Sequence, residues 1–166
     1  MNNRATGVIV VHSAPRALCS HIEWALNALV GVPLKFRWRD QPVSRDCVRA
    51  EVFWDAPTGT GARIASELRG WVDTRFEVTE DPVYGGLGNR FSYTPTLGLF
   101  GAEIDAAGNT MLTEARVGSL LTDAGNDVSS VRDLFDRALG GPWDRELESY
   151  RAAIYDPSIR LLHGAG

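Results

Sequence analysis

The sequence predicts an α+β fold: a ferredoxin-like split βαβ N-terminal half (β-α-β-β-α-β) with additional antiparallel strands and C-terminal helices. Three observations point there. Apolar residues recur with period two, then 3.6, then two, and the cycle repeats within residues 1–82. The strand segments alternate apolar with charged residues, as half-covered antiparallel strands do. After residue 82 the pattern changes to short strands followed by helices. A chain of 166 residues fits one domain, spanning 1–166, in which 83–166 extend the first half.

The elements follow in order. Residues 6–12 (TGVIVVH) are continuous and β-branched, which predicts a central strand. Its faces are Val8, Val10 and His12 on one side, Gly7, Ile9 and Val11 on the other. Ser13 is placed to cap the next helix, with Pro15 in its first turn. Leu18, Ile22, Ala25, Leu26 and Leu29 mark the buried stripe of that helix, and Gly31 ends it. Residues 34–39 (LKFRWR) alternate cleanly and predict a second strand, with Leu34, Phe36 and Trp38 inward. Residues 48–54 predict a third. A second helix over 61–70 buries Ile64, Ala65 and Leu68, and residues 72–79 predict the fourth strand. Short strands at 90–93, 97–104 and 110–113 follow, then a short helix over 114–122. A helix begins at Asp127 or Ser129, and Gly140–Gly141 stop it. Pro142 opens a last helix carrying Trp143, Leu147, Tyr150 and Ile154, with Glu148 and Arg151 toward solvent.

Composition sets the class. Hydrophobic content of 44% and charged content of 23% are those of a water-soluble globular protein. The longest purely apolar run, Val8–Val11, is too short to span a bilayer, and MNNRATG lacks a signal-peptide segment. Cys19 and Cys47 form neither a disulfide framework nor a metal knuckle, so a cytoplasmic protein without metal or cofactor is expected. A net charge of −4 argues against bulk nucleic-acid binding. Sixteen arginines against the single Lys35 suit an Arg-rich codon usage, or bidentate recognition of phosphate and carboxylate.

The most site-like stretch is DAPTGTGARIASELR, residues 55–69. Glycines at a strand-to-helix turn bring free backbone amides close to a ligand, so Thr58, Gly59, Thr60, Gly61 and Arg63 are an anion-binding candidate. No lysine stands where a Walker loop needs one, and Thr58 or Thr60 can simply cap the helix. His12, at a strand end, is a candidate base, with Cys19, Ser13 or Glu23 as partners. His21 points away from Cys19 and Glu23, and His163 lies in the tail. Glu77, Glu80 and Asp81 cluster at a strand end. Topology sets His12 and Gly59–Gly61 at opposite ends of the sheet and brings Glu80 and Asp81 to the glycine turn, where they can accept its amides. The outward set for the open sheet face is Lys35, Arg37, Arg39, Arg49, Glu51, Phe53, Arg75 and Glu77, around Ile9 and Val11. Its basic members, Lys35, Arg37, Arg39, Arg49 and Arg75, make an open-face binding candidate. RNA-recognition sheets stack bases on exposed aromatics, and Phe53 is the one clear aromatic here.

The stretches V-V-H-S-A-P (10–15), H-I-E-W-A-L (21–26), G-T-G-A-R (59–63), R-F-E-V-T-E-D-P (75–82) and P-T-L-G-L-F (95–100) resemble an uncharacterised actinobacterial protein family, a domain of unknown function of about this length. The resemblance implies a bacterial cytosolic protein and carries over no catalytic residue. Together these readings favour a non-catalytic binding or regulatory module for a small anionic ligand or a protein partner, with self-association through the sheet face. The alternatives are a small enzyme built on His12 and an RNA-binding sheet surface.

Overall fold

In a computed structural model that describes residues 3–154, the β-branched run near the N-terminus widens into a twelve-residue strand, β1 (Arg4–Pro15). The other strands are β2 (Arg39–Asp40), β3 (Cys47–Pro57), β4 (Arg75–Glu80), β5 (Gly88–Thr94) and β6 (Gly98–Ile104). The helices are α1 (Cys19–Val30), α2 (Thr60–Leu68), α3 (Glu114–Ala124), α4 (Val128–Ala138) and α5 (Gly141–Ala152). The strands form one antiparallel sheet in the order β2-β3-β1-β4-β5-β6. The described residues are therefore a mixed α/β structure of six strands and five helices.

Register decides which face is the core. Ile9 lies opposite Val52 and Val78, and Val11 opposite Ala50 and Phe76. Directly paired residues share a face, so these side chains meet Ile22 and Leu26 of α1 and Ile64, Ala65 and Leu68 of α2. This corrects the expectation that Ile9 and Val11 sit at the centre of an open face: both are buried in the core. Val10, paired with Glu51 and Glu77, belongs to the opposite face.

Several boundaries shift for physical reasons. Residues 34–39 do not form a strand; pairing starts only at Arg39. Their apolar alternation is met by docking on α1: Leu34 N–H donates to Asn27 Oδ1 at 2.7 Å, and the Trp38 indole donates to Glu23 Oε1 at 2.6 Å. Phe36 stacks on Trp38 with centroids 5.3 Å apart. Ser13 does not cap α1; it lies buried inside β1, and a 3-10 turn (Arg16–Leu18) leads into the helix. Residues 72–74 lie outside β4, in a turn that Thr74 closes onto the Trp71 carbonyl. Residues 110–113 contribute one bridge, Thr110 to Ile104, rather than a strand.

The C-terminal elements answer what covers the second face. Thr113 caps α3 and Asp127 caps α4 through their side chains. Pro142 opens α5, which crosses the face formed by β4, β5 and β6. There Trp143 donates to the Gly98 carbonyl at 2.8 Å, and Thr94 Oγ1 donates to Glu146 Oε2 at 2.9 Å. Arg75 sits 3.6 Å from Glu146 and 4.9 Å over the Tyr150 ring. The β1–β3 half of that face keeps Phe53 74% exposed. The C-terminal tail, with His163, lies outside the described residues.

Candidate functional site

The glycine turn is filled from within. Gly59, at φ 88°, is the N-cap of α2 and bears no side chain to cap it. Glu80, at the end of β4, takes that role: the amides of Gly59 and Gly61 each donate to its carboxylate at 2.8 Å. Glu80 is 2% exposed, and a Cβ on Gly61 would come within 3.0 Å of it. The negative charge expected at a helix N-terminus is thus the protein's own. Thr60 Oγ1 donates to the Pro57 carbonyl and Thr58 Oγ1 to Asn3 Oδ1, so neither threonine caps the helix. Arg63 stays on the exposed side of α2. The anion position proposed for this turn is occupied, because β4 ends where α2 begins.

Glu77, Glu80 and Asp81 do not act together. Asp81 accepts from Thr6 Oγ1 at 2.6 Å. Glu77 lies on the other face, where it meets His12. The pairing of β1 skips at His12, a bulge that aims the side chain at β4. His12 Nε2 is 2.6 Å from Glu77 Oε2. Since an ionised carboxylate only accepts, Nε2 carries the proton. Arg151 corrects a second expectation. It does not face solvent but reaches Glu77 through Nε at 3.1 Å and Nη2 at 2.5 Å, and Asp144 at 3.0 Å. Arg90 completes the chain by pairing with Asp144. Burial pulls the Glu77 carboxyl upward, but hydrogen bonds from His12 and Arg151, with their charge, outweigh it and hold it at about 2. This network pins α5 to β1, β4 and β5. One signal for it was in the sequence: Asp144, Leu147 and Arg151 fall on one helical face.

The structure does not bring the candidate catalytic groups Cys19 and Glu23 to His12. Cys19 and Glu23 belong to α1, on the opposite side of the sheet, and Glu23 holds the Trp38 indole. Burial and the Glu23 charge push the Cys19 thiol up, against activation as a nucleophile. His12, whose Nδ1 has no hydrogen-bond partner among the described residues, lines a space of about 30 Å³ with Arg49 and Glu51, enough for a water but not for a substrate.

The basic open-face set is also divided. Lys35 and Arg37 are exposed on the unpaired segment before β2, Arg39 is exposed on β2, and Arg75 is half-buried beneath α5. Arg49, opposite Arg39, is only partly exposed.

A concavity lined by three elements lies elsewhere, at the outer edge of β6 beneath α3 and α4. It is a cleft of about 460 Å³. Its apolar wall is Phe100, Leu120, Leu134 and Trp143, and Arg116 and Arg137 stand in its lining. The Arg137 guanidinium lies 5.2 Å over the Trp143 ring, a contact that holds a cation at an apolar wall. Among the described residues neither arginine meets a carboxylate at ion-pair distance. Along α4 the sequence repeats Val131, Leu134, Phe135 and Ala138 at helical spacing, yet the helix buries none of its residues fully. Leu134 and Ala138 of this apolar stripe line the cleft instead of a closed core. Sequence reasoning missed this site because a helical stripe reads the same whether it meets a core or a cavity.

The fold and this cleft define a mixed α/β protein with an apolar-walled concavity at a sheet edge. The chain belongs to the family described as Protein of unknown function (DUF3145), whose profile matches residues 8–164. No curated protein and no solved structure matches it. No helix among the described residues is long and apolar enough to cross a membrane.

Proposed function

We propose that this protein is a non-catalytic binding module whose ligand is an amphipathic anion seated in the β6-edge cleft. The supporting observation is the cleft itself: about 460 Å³, apolar-walled, with two arginines that meet no carboxylate at ion-pair distance among the described residues. Ligand sites of a few hundred Å³ combine apolar lining with a few polar groups in this way. The favoured ligand class stays anionic, but its seat moves from the Gly59–Gly61 turn to Arg116 and Arg137. A catalytic role for His12 has less support, since its ring is engaged by Glu77 and the adjoining space admits only water.

The same proposal takes the N-terminal half as a ferredoxin-like split βαβ. The order β2-β3-β1-β4 and the placement of α1 and α2 on one face support it. The extension by β5 and β6 is then what creates a new edge for a site. The resemblance to ligand-sensing ferredoxin-like domains is an analogy of fold, and the weight rests on the cleft.

Anilinonaphthalene sulfonate, an aromatic anion, serves as the probe. Its fluorescence titration should show saturable binding that weakens at least about tenfold in the double variant Arg116→Glu/Arg137→Glu. Unchanged affinity in that variant, with the fold intact by circular dichroism, would overturn the assignment.

A further inference from the structure

Among the described residues, the wall of the cleft contains a free strand edge. Met111 N–H donates to the Glu103 carbonyl at 2.9 Å, and Asp105 N–H to the Asn109 carbonyl at 3.0 Å. The backbone of Glu103 therefore points away from β5. Successive residues of a strand alternate in the side to which they present N–H and C=O, so Gly101 and Leu99 point the same way. The register agrees, since Phe91–Gly101 and Tyr93–Leu99 alternate with the Arg90–Ala102 and Ser92–Phe100 pairs. Beyond Met111 the chain leaves β6 for the cap of α3, and β6 ends the sheet. Leu99 and Gly101 both line the cleft, and no backbone partner occupies their outer side among the described residues.

Edge strands are ordinarily blunted by charge, proline or shortness. Over residues 98–102 β6 carries none of these: the segment is GLFGA, and the first charge is Glu103. Protection comes instead from α3 and α4, which overhang the edge and leave the cleft between. A compact anion would meet the arginines and the apolar wall but leave the backbone groups of Leu99 and Gly101 unanswered. An extended chain answers all three.

We infer that β6 accepts an extended acidic-apolar peptide segment of a protein partner as a seventh strand. One of its apolar side chains seats among Phe100, Leu120, Leu134 and Trp143, and an acidic group meets Arg116 and Arg137. Main-chain hydrogen bonds supply affinity in this mode, and the pocket for alternate side chains supplies selectivity. Charge complementarity names the occupant: the two arginines select against a basic or neutral segment. The inference rests on the reading of the cleft as the binding site.

The test uses a fluorescein-labelled Asp-Val-Phe-Val-Asp peptide with the full chain. Two further versions carry N-methyl groups, one on the two valine nitrogens and the other on the nitrogens of Phe and the second Asp. In a seventh strand only one alternate set of amides faces β6. One version should therefore lose at least about tenfold in affinity while the other keeps it. Binding of the unmethylated peptide should slow amide hydrogen exchange at Leu99 and Gly101, which anilinonaphthalene sulfonate should not do. No peptide binding at millimolar concentration, equal tolerance of both methylation patterns, or binding without protection of Leu99 and Gly101 would overturn the inference. If the sulfonate still binds when the peptide fails, only the strand-addition inference falls; if neither binds, the cleft reading falls with it.

Discussion

Helices α2 and α4 are both amphipathic, yet they meet the rest of the molecule differently. In α2, Ile64, Ala65 and Leu68 are each 0% exposed, in the core that α2 closes against β4, β5 and α1. In α4, Val131, Leu134, Phe135 and Ala138 are only half-buried, and Leu134 and Ala138 border a cleft. The first arrangement stabilises the fold. The second leaves apolar surface uncommitted beside Arg116 and Arg137, which is how a binding site differs from a core. The comparison also separates two treatments of charge. Within the sheet, Glu80 and Glu77 are answered by the protein's own amides, His12 and Arg151. In the cleft, Arg116 and Arg137 meet no carboxylate at ion-pair distance among the described residues.

The sharpest way to break this contrast is to truncate equivalent leucines. Leu68→Ala should cost about 4 kcal/mol, because it opens a cavity in a closed core. Leu134→Ala should cost below about 1 kcal/mol, because its side chain already borders open space. Urea denaturation of the two variants measures the difference, and equal losses would erase the distinction between core and cleft.

Next in size is the ionic clamp on α5. Glu77→Gln should cost about 3 kcal/mol, leaving Arg151 and His12 facing a neutral amide. The pH dependence has a definite sign. A carboxyl held at about 2 in the folded state, against an ordinary 4.5, contributes stability that is complete above pH 4.5 and fades as pH falls toward 2. The stability difference between wild type and Glu77→Gln should therefore shrink over that window. A difference that persisted unchanged at pH 2 would contradict the assignment.

Smaller still is the internal cap of α2. Glu80→Gln keeps one acceptor oxygen and replaces the other with a donor facing an amide, so it should cost about 2 kcal/mol. Thermal unfolding reads this directly. If added sulfate or phosphate restored the variant's stability, the Gly59–Gly61 amides would be shown able to take an external anion once Glu80 is removed.

Much of the fold was legible from residue patterns. The β-branched run of β1, the stripes of α1 and α2, and the Pro142 start of α5 each carry a local signal. The 34–39 segment shows where such signals mislead, since its alternation is satisfied by side chains docking on α1 without a ladder. The faces of β1 were ambiguous because Val8 and Val10 are as apolar as Ile9 and Val11, and only the register with β3 and β4 distinguishes them. The Glu80 cap was legible from topology, which sets the end of β4 beside the glycine turn, whereas the His12–Glu77–Arg151 chain joins residues 65 to 74 positions apart, beyond the reach of periodicity. The cleft was illegible for a different reason. It depends on how far apart α3, α4 and β6 stand, and no residue type encodes a gap.

Filling that gap tests the central claim most directly. Ala138 lines the cleft half-buried, and Ala138→Leu adds apolar volume to it without touching β1–β4. Anilinonaphthalene sulfonate titration, run beside a thermal melt, should show binding weakened by at least about tenfold while the melting temperature holds or rises. Undiminished binding in a folded Ala138→Leu protein would contradict the claim that this cleft is the ligand site.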